Sequence, residues 1–254
     1  MVEDIMKANL NEKILISIIT INYNNAEGLQ KTINSVRLQS FPDYEHIIVD
    51  GGSSDGSKEV IQESLNDENY SKHITWWCSE KDSGIYNAMN KGLQKASGQF
   101  VYMLNSGDSL LPDVLNKISS ILMENLDSVV YGPIDTYLGD RFLQTVGEGP
   151  ENLSVGTMPH QGTFFPLTLH KKYGTYNEEY RIAADREFML RLYNNKVPFV
   201  HVPIIICNYD KGGISSNLTL VSLKETYRLD KAMGKKKKSL FRFLKGLIKL
   251  CLHF

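Results

Sequence analysis

Residues 14–22 read Ile-Leu-Ile-Ser-Ile-Ile-Thr-Ile-Asn, and Tyr23-Asn24-Asn25 follow at once. The run is rich in β-branched residues and too continuously apolar for a strand with one wet face, so it predicts a strand buried on both faces of a parallel sheet. Asn24 and Asn25 then supply caps for a helix reaching about Ser40. The same unit recurs along the chain. A strand from His46 to Asp50 leads through Gly51-Gly52-Ser53-Ser54-Asp55-Gly56 into a helix over Lys58–Leu65; Ile74–Cys78 leads through Glu80–Gly84 into a helix over Ile85–Ala96; Phe100–Leu104 leads through Asn105–Asp108 into a helix from Pro112 to Asn125. With a further strand at Ser128–Tyr131, these units predict an α/β fold with a doubly wound, mostly parallel sheet flanked by helices. The second half is less regular. It predicts an extended excursion over Ile134–Val146, a strand at Gly162–Pro166, a helix over Ala184–Asn195, strands near Phe199–Cys207 and a helix over Leu218–Ala232.

Length and composition agree with one large domain. The chain has 254 residues, 42% of them hydrophobic and 22% charged, enough to build a substantial core. A formal net charge of -1 excludes the strong basic excess of a general nucleic-acid binder. Cys78, Cys207 and Cys251 are too far apart for a metal knuckle or a disulfide framework, which favours a reducing cytoplasm. The opening Met-Val-Glu-Asp-Ile-Met-Lys lacks a secretory pattern, and no run approaches the roughly 20 apolar residues of a membrane span.

In doubly wound sheets ligands bind beyond the carboxyl ends of the strands, so the polar loops are where chemistry is expected. Asp50 ends a strand; its carboxylate can accept from a nucleobase N–H or a ribose hydroxyl, or can simply organise a turn. Asp55 reads as a helix cap. Asn105-Ser106-Gly107-Asp108 carries Asp108 to the sheet edge, where a hard cation prefers oxygen ligands and keeps room for substrate phosphates; a cap before the next helix is the plainer alternative. Neither GxGxxG nor GxxxxGK[ST] occurs where it would imply dinucleotide or P-loop chemistry.

Taken together, Ile18–Asn24, Val49–Gly56, Ser79–Gly92 and Leu104–Asp108 resemble, in order and spacing, family 2 glycosyltransferases of the GT-A fold, and in particular bacterial enzymes that build capsular, exopolysaccharide or lipopolysaccharide repeat units. The likeness runs from about residue 14 to about 215. It implies a nucleotide-sugar half over about 14–132, with Thr20, Asn22, Tyr23, Asp50, Asp82 and Asn105 binding the donor, a UDP-sugar being favoured. Asp108 takes the metal-ligating place of an Asp-x-Asp motif, for Mn²⁺ or Mg²⁺, although Asn105 and Gly107 stand where acidic residues are commoner. An acceptor half over about 133–233 is implied by Pro159–Phe165, with His160 and Gln161 at the acceptor, and by Arg181–Phe188, with Asp185 as catalytic base. By residue chemistry alone Asp185 reads as a helix cap and His160 as an ordinary loop residue. The Gln-x-x-Arg-Trp motif of processive relatives is missing, so one sugar per acceptor, transferred with inversion, is expected. A non-catalytic sugar-nucleotide-binding or membrane-associated scaffold is the alternative, motivated by the depleted acidic motif.

Residues 234–254 form a basic tail. Lys238, Arg242, Lys245, Lys249 and His253 share one helical face, apolar residues cover the rest, and Lys235–Lys238 precede them. A helix of roughly 25 Å lying in the headgroup layer is expected, with each lysine adding attraction on the order of 1 kcal/mol near anionic lipid. The competing reading docks this helix on protein. A peripheral position on the cytoplasmic membrane face, with a saccharide or lipid-linked acceptor, is the resulting expectation.

Overall fold

Strand β1 (Ile16–Asn22) is buried along its whole length and pairs in parallel on both sides, with β2 (Tyr44–Asp50) and with β4 (Phe100–Met103). Its side chains alternate between two cores. Ile19 and Ile21 join Val101 and Met103 on one face, whereas Ile16 and Ile18 join Phe100 and Tyr102 on the other. Each such isoleucine contributes about 1.5–3 kcal/mol by leaving water, which is why a two-faced apolar run makes a central strand. The computed structural model describes residues 14–154, 156, 158–212, 219–232 and 236–251.

Seven strands form the main sheet, in the order β10 (Phe199–His201), β6 (Val129–Tyr131), β9 (Thr163–Pro166), β4, β1, β2, β3 (Ile74–Ser79). All pairs are parallel except those of β9, which runs antiparallel between β4 and β6. Helices α1 (Ala26–Arg37), α2 (Ser57–Ser64) and α5 (Val114–Glu124) contribute to one core, and α4 (Ile85–Lys95) and α7 (Ala184–Asn194) to the other. The chain moves outward from β1 to β3 and then returns to β4, so the crevice between the carboxyl ends of β1 and β4 is the topological switch point.

A second sheet, in the order β5 (Ser109–Leu110), β11 (Cys207–Asp210), β7 (Ile134–Leu138), β8 (Arg141–Val146), stands beside it. The expected excursion over 134–146 is thus an antiparallel hairpin, and the expected strands near 199–207 divide between the two sheets. β5, the short α3 (Glu68–Ser71) and α6 (Leu167–Tyr173) had no periodicity long enough to announce them. The pairing of β5 with β11 brings Asp210 beside Asp108, a contact no local pattern encodes.

The tail forms a helix, α9 (Lys236–Cys251), and it packs on α8 (Leu220–Ala232). The seam is specific: Ser239 Oγ donates to the Tyr227 carbonyl, Tyr227 and Phe243 rings meet at 5.3 Å, and Arg242 pairs with buried Asp230 at 2.9 Å. Arg242, its side chain 39% exposed, thus bridges the surface to a buried carboxylate of α8. Residues 233–235 and 252–254, and the side chains of Lys236, Lys237, Lys238 and Lys249, lie outside the described residues. Among the described residues no helix is long and apolar enough to cross a membrane.

Candidate functional site

The loops after β1, β2 and β4 are sewn together before any ligand arrives. Asn25 accepts from Gly28 N–H at the start of α1 and exchanges hydrogen bonds with Ser106, while Asp55 accepts from Ala26 N–H at 2.8 Å and Ser57 N–H at 3.1 Å. Asp55 thus takes the first N–H of α1 and of α2, beside the caps Asn25 and Gly56. Gly107 turns with φ +102°, a left-handed conformation that favours glycine, and donates to Thr32 Oγ1 at 3.0 Å. Gly51 leaves room of a different kind: a Cβ there would lie 2.7 Å from the Asp82 carboxylate and displace it.

These loops wall a cavity of about 780 Å³, within the usual range for a ligand site, lined by Asn22, Tyr23, Asp82, Asn105 and Asp108 with contributions from Lys81, Tyr209 and Asp210. Five of the expected donor and metal residues therefore meet in one place. Two others do not line it. Thr20 is fully buried, its hydroxyl bonded to His46 Nε2 at 2.8 Å, because its position on β1 turns it toward the core. His46 is itself held neutral, burial pushing its pKa down to about 3. Asp50 is likewise buried: its carboxylate accepts from Asn22 Nδ2 at 2.7 Å, Ser79 Oγ at 2.6 Å, Ser53 N–H at 2.9 Å and the Ser53 hydroxyl. Burial raises the Asp50 pKa, but these hydrogen bonds outweigh it and hold the carboxyl below its usual range. Neither side chain lines this pocket in the structure: Thr20 is held by His46, and Asp50 holds the Asn22 amide.

Asn22 Oδ1, Asn105 Oδ1 and Asp108 Oδ2 are buried without a hydrogen-bond partner among the described residues, and all three residues line the pocket. Leaving a buried acceptor unpaired costs about 1–3 kcal/mol, so these three oxygens are the candidates here to meet a ligand's donors or a cation. Burial raises the Asp108 pKa to about 8, with Asp210 adding to the rise and the Asp210 N–H and Lys31 opposing it. Oxygen ligands from Asp108, Asn105 and Asp210 fit a hard divalent cation that keeps its remaining places for water and phosphate. Asp210, absent from the expected set, is brought to the same lining by tertiary pairing.

A second cavity, of about 440 Å³, adjoins the first through their common wall at Tyr209 and is lined by His160, Gln161, Asp185, Glu148 and Lys211, with Ser222 and Thr226 from α8. Asp185 occupies the first turn of α7, inside the helix and not at its cap, where the helix dipole favours a carboxylate. Its Oδ1 accepts from Arg186 N–H at 2.7 Å and from Tyr86 Oη at 3.1 Å. Buried His160 bonds Tyr176 Oη at 2.8 Å; burial lowers its pKa, opposed by Asp185. The Tyr86–Gly92 stretch now has a physical role. Tyr86 reaches Ile182 and Asp185, and Asn87 and Asn90 donate to Glu178 at 3.0 and 2.8 Å, locking α4 to the segment that carries Asp185.

A doubly wound sheet with an oxygen-lined pocket at its switch point, and a carboxylate-bearing pocket beside it, is the architecture of GT-A transferases. Residues 17–196 match the family model described as glycosyl transferase family 2, and the chain belongs to that family. It is 34% identical over 215 residues to the uncharacterized glycosyltransferase Rv1514c of Mycobacterium tuberculosis, covering 80% of this chain and 77% of the relative. It is 26% identical over 214 residues to the PGL/p-HBAD biosynthesis glycosyltransferase Rv2957 of the same species, covering 80% of each. Staphylococcus aureus TarS 1–349, solved in complex with UDP-GlcNAc, superposes with a TM-score of 0.70 at 19% identity, a likeness of fold alone. The match spans 85% of this chain and 64% of that longer one.

Proposed function

We propose that the protein transfers one hexosyl or hexosaminyl unit from a UDP-sugar to a saccharide or lipid-linked saccharide acceptor, with inversion, in bacterial surface-polysaccharide synthesis. The observation that carries this reading is the pair of adjoining pockets, one ending at Asp108 and the other at Asp185, separated by Tyr209. Residues of the donor pocket divide the work. Asn22 Oδ1 is free to accept from a ring N–H of the base, Tyr23 is 65% exposed at the rim where it can cover the nucleoside, and Asp82 borders the same space.

The lining sets Asp82 and Asp210 against Lys81, and Asp108 adds a third negative charge once a cation displaces its proton, an acidic balance that would repel a bare diphosphate. Metal dependence follows from that balance. Mn²⁺ or Mg²⁺ held by Asp108, Asn105 and Asp210 would supply neutralisation of charge on the departing nucleoside diphosphate. Asp185 accepts the acceptor hydroxyl's proton as its oxygen attacks the anomeric carbon and the bond to the diphosphate breaks on the opposite side. His160 and Gln161 orient the acceptor. TarS was solved with a UDP-sugar and Rv2957 is named for PGL/p-HBAD biosynthesis, both of which support the donor and acceptor classes.

A screen of UDP-, GDP- and TDP-sugars with and without Mn²⁺ tests this function. Metal-dependent release of nucleoside diphosphate from one donor is expected; failure of every nucleotide sugar to bind or turn over would sink the proposal.

Membrane association belongs to the same reading. Leu240, Phe241, Leu244 and Ile248 form an outward stripe on α9, Phe241 being 72% exposed, beside exposed Lys245. α8 carries Ser222 and Thr226 at the acceptor pocket and holds α9 through Leu223, Tyr227 and Asp230, so the stripe and the acceptor pocket share one two-helix unit. Such a stripe suits a headgroup layer on the cytoplasmic face. Flotation with phosphatidylglycerol vesicles at low salt is expected to carry the protein, and Phe241→Glu with Leu244→Glu to release it. Absence of wild-type flotation overturns the membrane assignment without touching the chemistry.

A further inference from the structure

Helix α7 begins at Ala183, which has no side-chain oxygen to cap it, yet its entry is not left open. The N–H groups of Arg181, Ile182 and Ala183 converge on the carboxylate of Glu225, the first at 2.7 Å on Oε1 and the others at 2.9 and 3.0 Å on Oε2. Glu225 lies on α8, more than 40 residues later in the chain. From the other side, Tyr86 donates to the Ile182 carbonyl at 2.6 Å. The three-residue entry to the Asp185 turn is therefore gripped through its N–H groups by α8 and through a carbonyl by α4. Just beyond it, Arg186 is anchored to Asp230 of α8 at 2.8 Å and to the Leu153 carbonyl.

We propose that Glu225 is a positioning residue for transfer: it sets the peptide that aims Asp185 at the acceptor hydroxyl, without itself touching either substrate. It is absent from the lining of both pockets, whereas its neighbours Ser222 and Thr226 line the acceptor cavity. Charge-assisted bonds to three amides explain why a carboxylate occupies this place, since one carboxylate satisfies three consecutive N–H donors of the segment that leads into the helix. The consequence is kinetic. A displacement of about 1 Å at a reacting group can cost on the order of 10²-fold in rate while leaving distant binding contacts intact.

This inference rests on Asp185 as base, and the test separates the two. kcat is measured per donor-binding molecule, with the binding-competent fraction titrated by UDP, for wild type, Glu225→Ala, Glu225→Gln, Asp185→Asn and the Glu225→Ala/Asp185→Asn double variant. Glu225→Ala is expected to lose about 10- to 100-fold in kcat with donor KM within about twofold. Glu225→Gln keeps one carbonyl oxygen for the amides and is expected to recover much of that loss; it carries the comparison if the alanine variant does not fold. In the Asp185→Asn background the Glu225 substitution is expected to add nothing, because both changes remove one function. Full kcat in Glu225→Ala, or a loss that multiplies in the double variant, overturns the positioning role while Asp185 stands. Full activity in Asp185→Asn overturns the base assignment and the positioning role with it.

Discussion

Asp185→Asn is expected to lower kcat by about 10³-fold, within the 10²–10⁴ range of general-base catalysis, with donor KM nearly unchanged. The amide is nearly isosteric, and Asn retains an oxygen that can accept from Tyr86 and the Arg186 N–H, so the turn should survive. What disappears is the basicity that takes the hydroxyl proton. Tyr86 and Tyr176 report the same charge, since burial first and Asp185 second keep both phenols from ionising. Steady-state rates at saturating donor and acceptor check the expectation. A loss smaller than tenfold would mean that the proton leaves by another route.

Asp108→Asn is expected to abolish metal-stimulated turnover, by at least about 10²-fold, and also to change stability in a pH-dependent way. In the metal-free protein burial, with a smaller contribution from the Asp210 charge, pushes the Asp108 pKa up to about 8 from the ordinary carboxyl value of 3.8. The folded state therefore holds a proton that the unfolded chain releases. Stability from this group is greatest below about pH 4 and declines as pH rises toward 8. Asparagine removes that slope. The melting temperature of Asp108→Asn should thus gain on wild type between pH 5 and pH 8, and Mn²⁺ should raise only the wild-type value by binding the native carboxylate. Parallel melting curves across that range, with no metal effect, would contradict both the buried acid and its role as a ligand.

The contrast between Asp50 and Asp108 shows where sequence reading stops. Both aspartates end or follow apolar strands in glycine- and serine-rich loops, and locally they look interchangeable. One receives hydrogen bonds from Asn22, Ser53 and Ser79 and is fully employed; the other keeps a bare oxygen in a pocket. Thr20 was legible as part of β1, but the partner of its hydroxyl, His46 on the neighbouring strand, depended on how β1 and β2 pair. The tail was legible as an amphipathic helix. That Arg242 would pair with Asp230 depended on a partner helix.

Periodicity, capping residues and glycine-rich loops are local, and they suffice to determine the parallel α/β sheet, its switch-point crevice and the chemical types gathered there. Burial and hydrogen-bond satisfaction are not local. They decided that Asp210 would join Asp108 through a strand pair 100 residues apart in sequence, to the nearest ten, that Asp50 would hold the Asn22 amide, and that a glutamate on α8 would take the N–H groups leading into the helix bearing Asp185. A side chain's role at this site depends on which donors and acceptors the fold leaves unpaired around it, and only three-dimensional packing fixes that.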